Sequence, residues 1–137
     1  MLKKGLLFTC FILLMVCSSA LAGKSDPLFI NLTSEDGHRS LMALGFGKAQ
    51  MERGHSLTVW MNDKAVMMAS AKNKAQFREQ QELIAEIIAK GAQVLVCPFC
   101  SKTFGVNEAD LIQGTRMGNP ETTGEALFQD NTKTLSW

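Results

Sequence analysis

Three short runs of the chain are apolar almost without interruption: Leu28-Phe29-Ile30-Asn31-Leu32, Leu57-Thr58-Val59-Trp60-Met61 and Val94-Leu95-Val96. None keeps the strict alternation of a half-buried strand, and such runs suit strands covered on both faces, which favours a parallel sheet. Between the first two, Arg39 to Arg53 is helical in period, with Leu41, Met42, Phe46 and Ala49 on its apolar side and Gly54 as its stop. Before the third, Arg78 to Lys90 carries the strongest helical pattern of the chain. Its apolar stripe is Leu83, Ile84, Ile87 and Ile88, and its polar face holds Glu79, Glu82, Glu86 and Lys90. Glu86 and Lys90 stand at a favourable ion-pair spacing, and Gly91 caps the end. Ser70 to Gln76, between the second strand and this helix, is expected to be the least structured stretch.

The order strand, helix, strand, helix, strand, closed by right-handed crossovers, predicts an α/β fold. It is a small open doubly wound domain, with a mostly parallel sheet of about five strands and helices on both faces. The rest of the chain fits that plan. A short helical turn after Cys100 is expected to end at Gly105, and Asn107 to Ile112 to form another turn with Asn107 as its N-cap. Thr115 to Met117 reads as a short fourth strand, Glu121 to Phe128 as a last helix, and Thr132 to Trp137 as a final strand. That strand alternates Leu135 and Trp137 with Thr134 and Ser136, as an edge strand does.

The N-terminus changes the setting. Lys3 and Lys4 precede an apolar run from Leu6 to Cys17, followed by Ser18, Ser19 and the small-residue stop Ala20-Leu21-Ala22. This is the pattern of a secretory signal peptide over residues 1–22, so the working protein is expected to be Gly23 to Trp137, exported to the periplasm. The run is shorter than the roughly 20 residues that span a bilayer, and no span is expected in the mature form. Lipidation at Cys17 is the competing reading, with bulky Val16 against it. The remaining 115 residues make one domain. They carry 12 basic and 13 acidic side chains, a balance that offers no electrostatic footing for nucleic acid.

Export also removes Cys10 and Cys17, leaving Cys97 and Cys100 in the stretch Val94-Leu95-Val96-Cys97-Pro98-Phe99-Cys100. In an open α/β sheet, ligands bind beyond the carboxyl ends of the strands. Three loops are expected there: Thr33 to His38, Asn62-Asp63-Lys64, and Cys97 to Cys100. Cys97 closes its strand as the N-cap of the next helical turn, with Pro98 at the first helical position. Backbone N–H groups of that turn point toward the Cys97 sulfur and, with the helix dipole, favour thiolate over thiol. A disulfide between the two closes only a four-residue loop, for which chain entropy gives about 2 kcal/mol against nearly 5 for a loop of about 100 residues. As a staple it restrains little. A metal clip finds half of a tetrahedral sulfur site, and Met67 and Met68 offer soft thioethers. The other half is missing, because His38 and His55 form no ligand spacing; no metal or other cofactor is expected. Val66, Met67 and Met68 read as core or subunit-interface filler. Gly45-Phe46-Gly47-Lys48 lacks the spacing of a phosphate loop and falls within a helix.

Taken in order, several weak motifs resemble the DsrE-like family, which includes DsrE, DsrF and TusD-like sulfur-relay proteins. They are Phe29 to Thr33, Arg53-Gly54-His55, Leu57 to Met61 with Asn62 to Val66, Lys90-Gly91-Ala92 leading to Cys97, Gly105-Val106, and Asp110 to Gly114. The likeness covers nearly all of Pro27 to Trp137. It implies a small α/β subunit assembling as a homo-trimer or homo-hexamer, with a cysteine at the end of the third strand that carries sulfane sulfur as a persulfide. Cys97 holds that place, and Gly105 is the glycine that follows it. The resemblance thus implies an exported sulfur carrier or sulfurtransferase exchanging with small sulfur species or a protein thiol. Cys100 is then a candidate resolving thiol, and Lys64 or His38 a source of positive potential. Two other functions stay open: a CxxC thiol-disulfide oxidoreductase, and a non-enzymatic oligomeric binding module.

Overall fold

The computed structural model describes Gly23 and residues 25–137, so the leader and Cys17 lie outside the described residues. The elements are β1 (Leu28–Leu32), α1 (Gly37–Glu52), β2 (Leu57–Met61), α2 (Lys74–Ala89), β3 (Gln93–Val96), α3 (Pro98–Phe104), β4 (Thr115–Met117), α4 (Pro120–Leu127) and β5 (Lys133–Ser136). The five strands lie in the order β4-β3-β2-β1-β5, and every pair is parallel. β5 is an edge strand, as expected, but it is exposed along its whole length, where its alternation predicts one buried face.

Register sorts the side chains into two faces. Leu28, Ile30 and Leu32 align with Leu57, Val59 and Met61, and the last two with Val94 and Val96; this face forms the core under α1 and α2. The opposite face presents Phe29, Thr58, Trp60 and Leu95, and α4 crosses it above a cavity of about 300 Å³ bordered by Thr58, Gln93, Arg116, Thr122 and Glu125. Helices therefore lie on both faces. The close fit of the second face shows at Gly118, where a Cβ would stand 2.5 Å from the Trp60 ring.

Helix α1 turns a different side inward from the one its apolar residues suggest. Ser40, Ala43, Leu44 and Gly47 are buried, whereas Met42 and Phe46 are 55% and 41% exposed and Ala49 faces out. Small residues decide this, because they let the helix axis come close to the sheet. A Cβ on Gly47 would lie 2.9 Å from Leu57 Cδ2 and 3.0 Å from Ile30 Cδ1. The helix begins at Gly37, two residues before the expected start, because the Asp36 carboxylate caps it by accepting from the Arg39 N–H at 2.8 Å.

Ser70 to Gln76, expected to be the least structured stretch, is instead mostly helical. A 3₁₀ helix spans Asp63–Ala69, a second spans Ala71–Asn73, and α2 starts at Lys74. Ser70 bridges to Leu111, and the Asn73 amide donates to the Met67 carbonyl. At Phe77 the helix departs from helical geometry, with φ −119° and ψ 32°, so the regular period starts just after it, at Arg78. Ile84 and Ile87 are fully buried, with Leu83 and Ile88 packed beside them. Glu86 pairs with Lys48 of α1 rather than with Lys90, and Lys90 pairs with Glu52 of α1 at 3.2 Å. These charges tie the two helices together instead of decorating one.

Candidate functional site

The Cys97 N–H donates to the Met61 carbonyl at 2.9 Å, continuing the β2–β3 ladder by one rung before the chain turns into α3. Cys97 itself keeps extended geometry, φ −68° and ψ 116°, and Pro98 sets the first helical φ. In this N-cap position its sulfur accepts the Cys100 N–H at 3.4 Å. Gly105 ends the helix in the left-handed region at φ 71°, where a side chain would be strained, and its N–H returns to the Ser101 carbonyl. Seven residues of helix thus hold both cysteines at the carboxyl end of the sheet.

The loop after β2 completes the arrangement. The Asn62 N–H bonds to the Leu32 carbonyl at 2.9 Å, and the Ala65 N–H to the Thr33 carbonyl at 3.2 Å. Between them Asp63 takes φ 47°, a left-handed value that aspartate tolerates better than most residues. Its backbone N–H donates to the Cys100 sulfur at 3.1 Å. Each sulfur therefore receives one backbone N–H. Burial pushes the Cys100 thiol above its ordinary value, the neighbouring Cys97 adds to the rise, and the Asp63 N–H works against both. Both cysteines are free and partly buried.

Of the supporting residues read from sequence, neither reaches a sulfur by hydrogen bond. Lys64 is engaged with Glu35, Nζ to Oε1 at 2.8 Å, and that carboxylate holds the lysine above its ordinary value. Its charge is locally offset. His38 lies exposed in the first turn of α1. Val66 and Met68 are fully buried and belong to the core, while Met67 packs at its edge. Among the described residues no group of three or more His, Cys, Asp or Glu side chains is placed to hold a metal ion. No helix of the described residues is long and apolar enough to cross a membrane.

Three features of the site escape a reading of residue types. Asp63 acts through its main chain, for which Asn62-Asp63 directly after a strand is the available turn signal. Ser101, beside Cys100, is 1% exposed and its hydroxyl has no hydrogen-bond partner. Phe99, between the two cysteines, is 80% exposed. A polar cavity of about 500 Å³ opens over the ends of β1 and β2, bordered by Thr33, Glu35, Arg39, Asp63 and Lys64 and by neither cysteine.

Known proteins share this architecture. The protein of unknown function from Methanobacterium thermoautotrophicum superposes with a TM-score of 0.69 at 12% identity, covering 82% of this chain and 100% of that one. The ychN protein from E. coli superposes with a TM-score of 0.65 at 15% identity, covering 82% and 99%. In sequence, an uncharacterized protein of Methanopyrus kandleri is 28% identical over 80 residues, a match that spans 58% of this chain and 66% of that protein. Another from Methanocaldococcus jannaschii is 30% identical over 80 residues, spanning 58% and 70%. Residues 28–132, from the first residue of β1 to the approach to β5, match the model of a single family, and the chain belongs to that DsrE/DsrF-like family.

Proposed function

We propose that this protein is an exported sulfur-handling member of its family, in which Cys97 takes up sulfane sulfur and Cys100 resolves it. The observation that carries the reading is the pair of free thiols at the carboxyl end of β3, each sulfur facing one backbone N–H. The Cys97 thiolate attacks the terminal sulfur of a polysulfide, forming Cys97–S–S⁻ and expelling a polysulfide one sulfur shorter. After protonation of that persulfide, the Cys100 thiolate attacks the Cys97 sulfur. The Cys97–Cys100 disulfide forms, hydrosulfide leaves, and an external dithiol must reduce the disulfide before the next round. Alternatively a partner thiolate attacks the outer sulfur and carries it away, which returns Cys97 directly.

Intact-mass spectrometry tests this. Incubation with polysulfide is expected to add the mass of one sulfur, removable by a dithiol, to the reduced Cys100→Ser protein, and to leave the unsubstituted protein two hydrogens lighter with hydrosulfide released. A loss of two hydrogens by the unsubstituted protein, reversed by the same dithiol, with no sulfur gained by Cys100→Ser would favour a thiol-disulfide oxidoreductase. No change under either treatment would favour a binding module.

Location and assembly are parts of the same proposal. N-terminal sequencing of the exported form is expected to read from Gly23, and a lipid-modified start at Cys17 would overturn this. We further expect a homo-trimer or homo-hexamer. Val66 and Met68 are no longer available to its interface, but Met42, Phe46 and Leu135 are exposed, and the Phe46 ring stands 5.9 Å from that of Trp137. Sedimentation at micromolar concentration is expected to show the assembly, and a clean monomer would count against it.

A further inference from the structure

We propose that Asp63 is a positioning residue for the Cys100 sulfur, its left-handed backbone aiming an N–H that stabilises the Cys100 thiolate when it resolves Cys97. The proposal rests on the reading above for its role in turnover, but its geometry stands apart from that reading. A non-glycine residue at φ 47° costs backbone energy and persists only where its surroundings hold it. Here they do. The N–H groups of Asn62 and Ala65, on either side, are fixed to the carbonyls of Leu32 and Thr33, and the first N–H of the 3₁₀ helix is left to the sulfur. Since a helix of that length leaves its leading N–H groups without internal partners, the sulfur fills a vacancy in the backbone hydrogen bonding. The bond has a chemical consequence. Attack on Cys97–S–SH requires Cys100 as thiolate, which burial and the neighbouring Cys97 both oppose. Among the hydrogen bonds of the described residues, the Asp63 N–H is the donor to that sulfur. The Asp63 carboxylate acts weakly in the opposite sense, through its charge. Main chain and side chain of one residue therefore pull Cys100 in opposite directions, which makes them separable.

The test is carried out in the Cys97→Ser protein, where Cys100 is the single mature thiol and sulfur loading plays no part. Asp63→Asn keeps a residue that accepts left-handed geometry and removes the charge, so Cys100 is expected to alkylate faster at pH 7 than in the Cys97→Ser parent. Asp63→Val disfavours φ 47°, draws the N–H off the sulfur and is expected to slow alkylation about tenfold, the worth of one hydrogen bond to a charged group. Asp63→Gly, which adopts that φ freely, is expected to restore most of the rate lost in Asp63→Val. Circular dichroism on each variant separates this from loss of fold. With Cys97 present, Asp63→Val should still load sulfur but release hydrosulfide more slowly. Equal alkylation in the Val and Gly variants would overturn the proposal, even where sulfur loading succeeds. The expected rate order in a protein that never loads sulfur would uphold the positioning and sink the sulfur-handling function.

Discussion

Cys97→Ser is expected to abolish sulfur uptake and hydrosulfide release, while Cys100→Ser takes up about one sulfur per chain and keeps it as a persulfide on Cys97. The asymmetry follows from position. Cys97 ends β3 with its sulfur at the head of α3, and the polypeptide turns away from it into the helix. Cys100, one turn on, is held toward the thiol form by burial and by its neighbour, so near neutral pH it offers little thiolate to attack a free polysulfide. Once Cys97 carries sulfur, the second step is intramolecular, and a short fixed separation compensates for a small thiolate fraction. Removing Cys100 therefore blocks release of hydrosulfide, not uptake. Mass spectrometry after polysulfide treatment, followed by sulfide release over time, reads both steps. The reverse pattern, with Cys100→Ser inert and Cys97→Ser still loading, would exchange the two roles. Equal alkylation of both cysteines at the rate of free cysteine would point to a passive pair.

The apolar runs of β1, β2 and β3 were legible because parallel strands buried on both faces leave a continuous signal, and the stripe of α2 because Ile84 and Ile87 need the core. Glycines and proline marked the turns that place Cys97 at its strand end. Other features follow rules that residue hydrophobicity does not express. The orientation of α1 is set by close approach at Gly47, and a count of large apolar residues therefore selects the face that carries Met42 and Phe46. The ion pairs of Glu86 and Lys90 depend on a neighbouring helix, which no spacing within α2 can reveal. In the candidate site, the thiols were legible from their type and position, whereas the hydrogen bond that distinguishes Cys100 comes from the Asp63 main chain. Every residue but proline has an N–H; only the tertiary arrangement shows where it points.

Gln81→Met is expected to destabilise the protein by about 1–3 kcal/mol, a large effect for a polar helix residue lying between Glu79 and Glu82. Gln81 is 7% exposed, and its amide nitrogen donates to the carbonyl of Met68 at 3.0 Å and to that of Ser70 at 2.8 Å. Both donors of the amide are used, and both carbonyls sit where the Asp63–Ala69 helix gives way to the next turn. Methionine fills a similar volume without a donor, which isolates the polar loss from a cavity effect. The Met68 carbonyl then loses its partner, at about 1–3 kcal/mol before relaxation, while the Ser70 carbonyl keeps the Asn73 N–H at 3.0 Å. Gln80 supplies the comparison. It is similarly buried but gives one bond, to the Gly37 carbonyl at 3.1 Å, which also accepts the Ser40 hydroxyl, so Gln80→Met is expected to lose less. Chemical denaturation of the three proteins measures the differences. Because the segment anchored by Gln81 is the one that begins at Asp63, Gln81→Met should also slow hydrosulfide release under conditions where the protein remains folded. A change in stability within about 0.5 kcal/mol of the parent would show that water replaces the amide at no loss, and would remove Gln81 from the supports of the site.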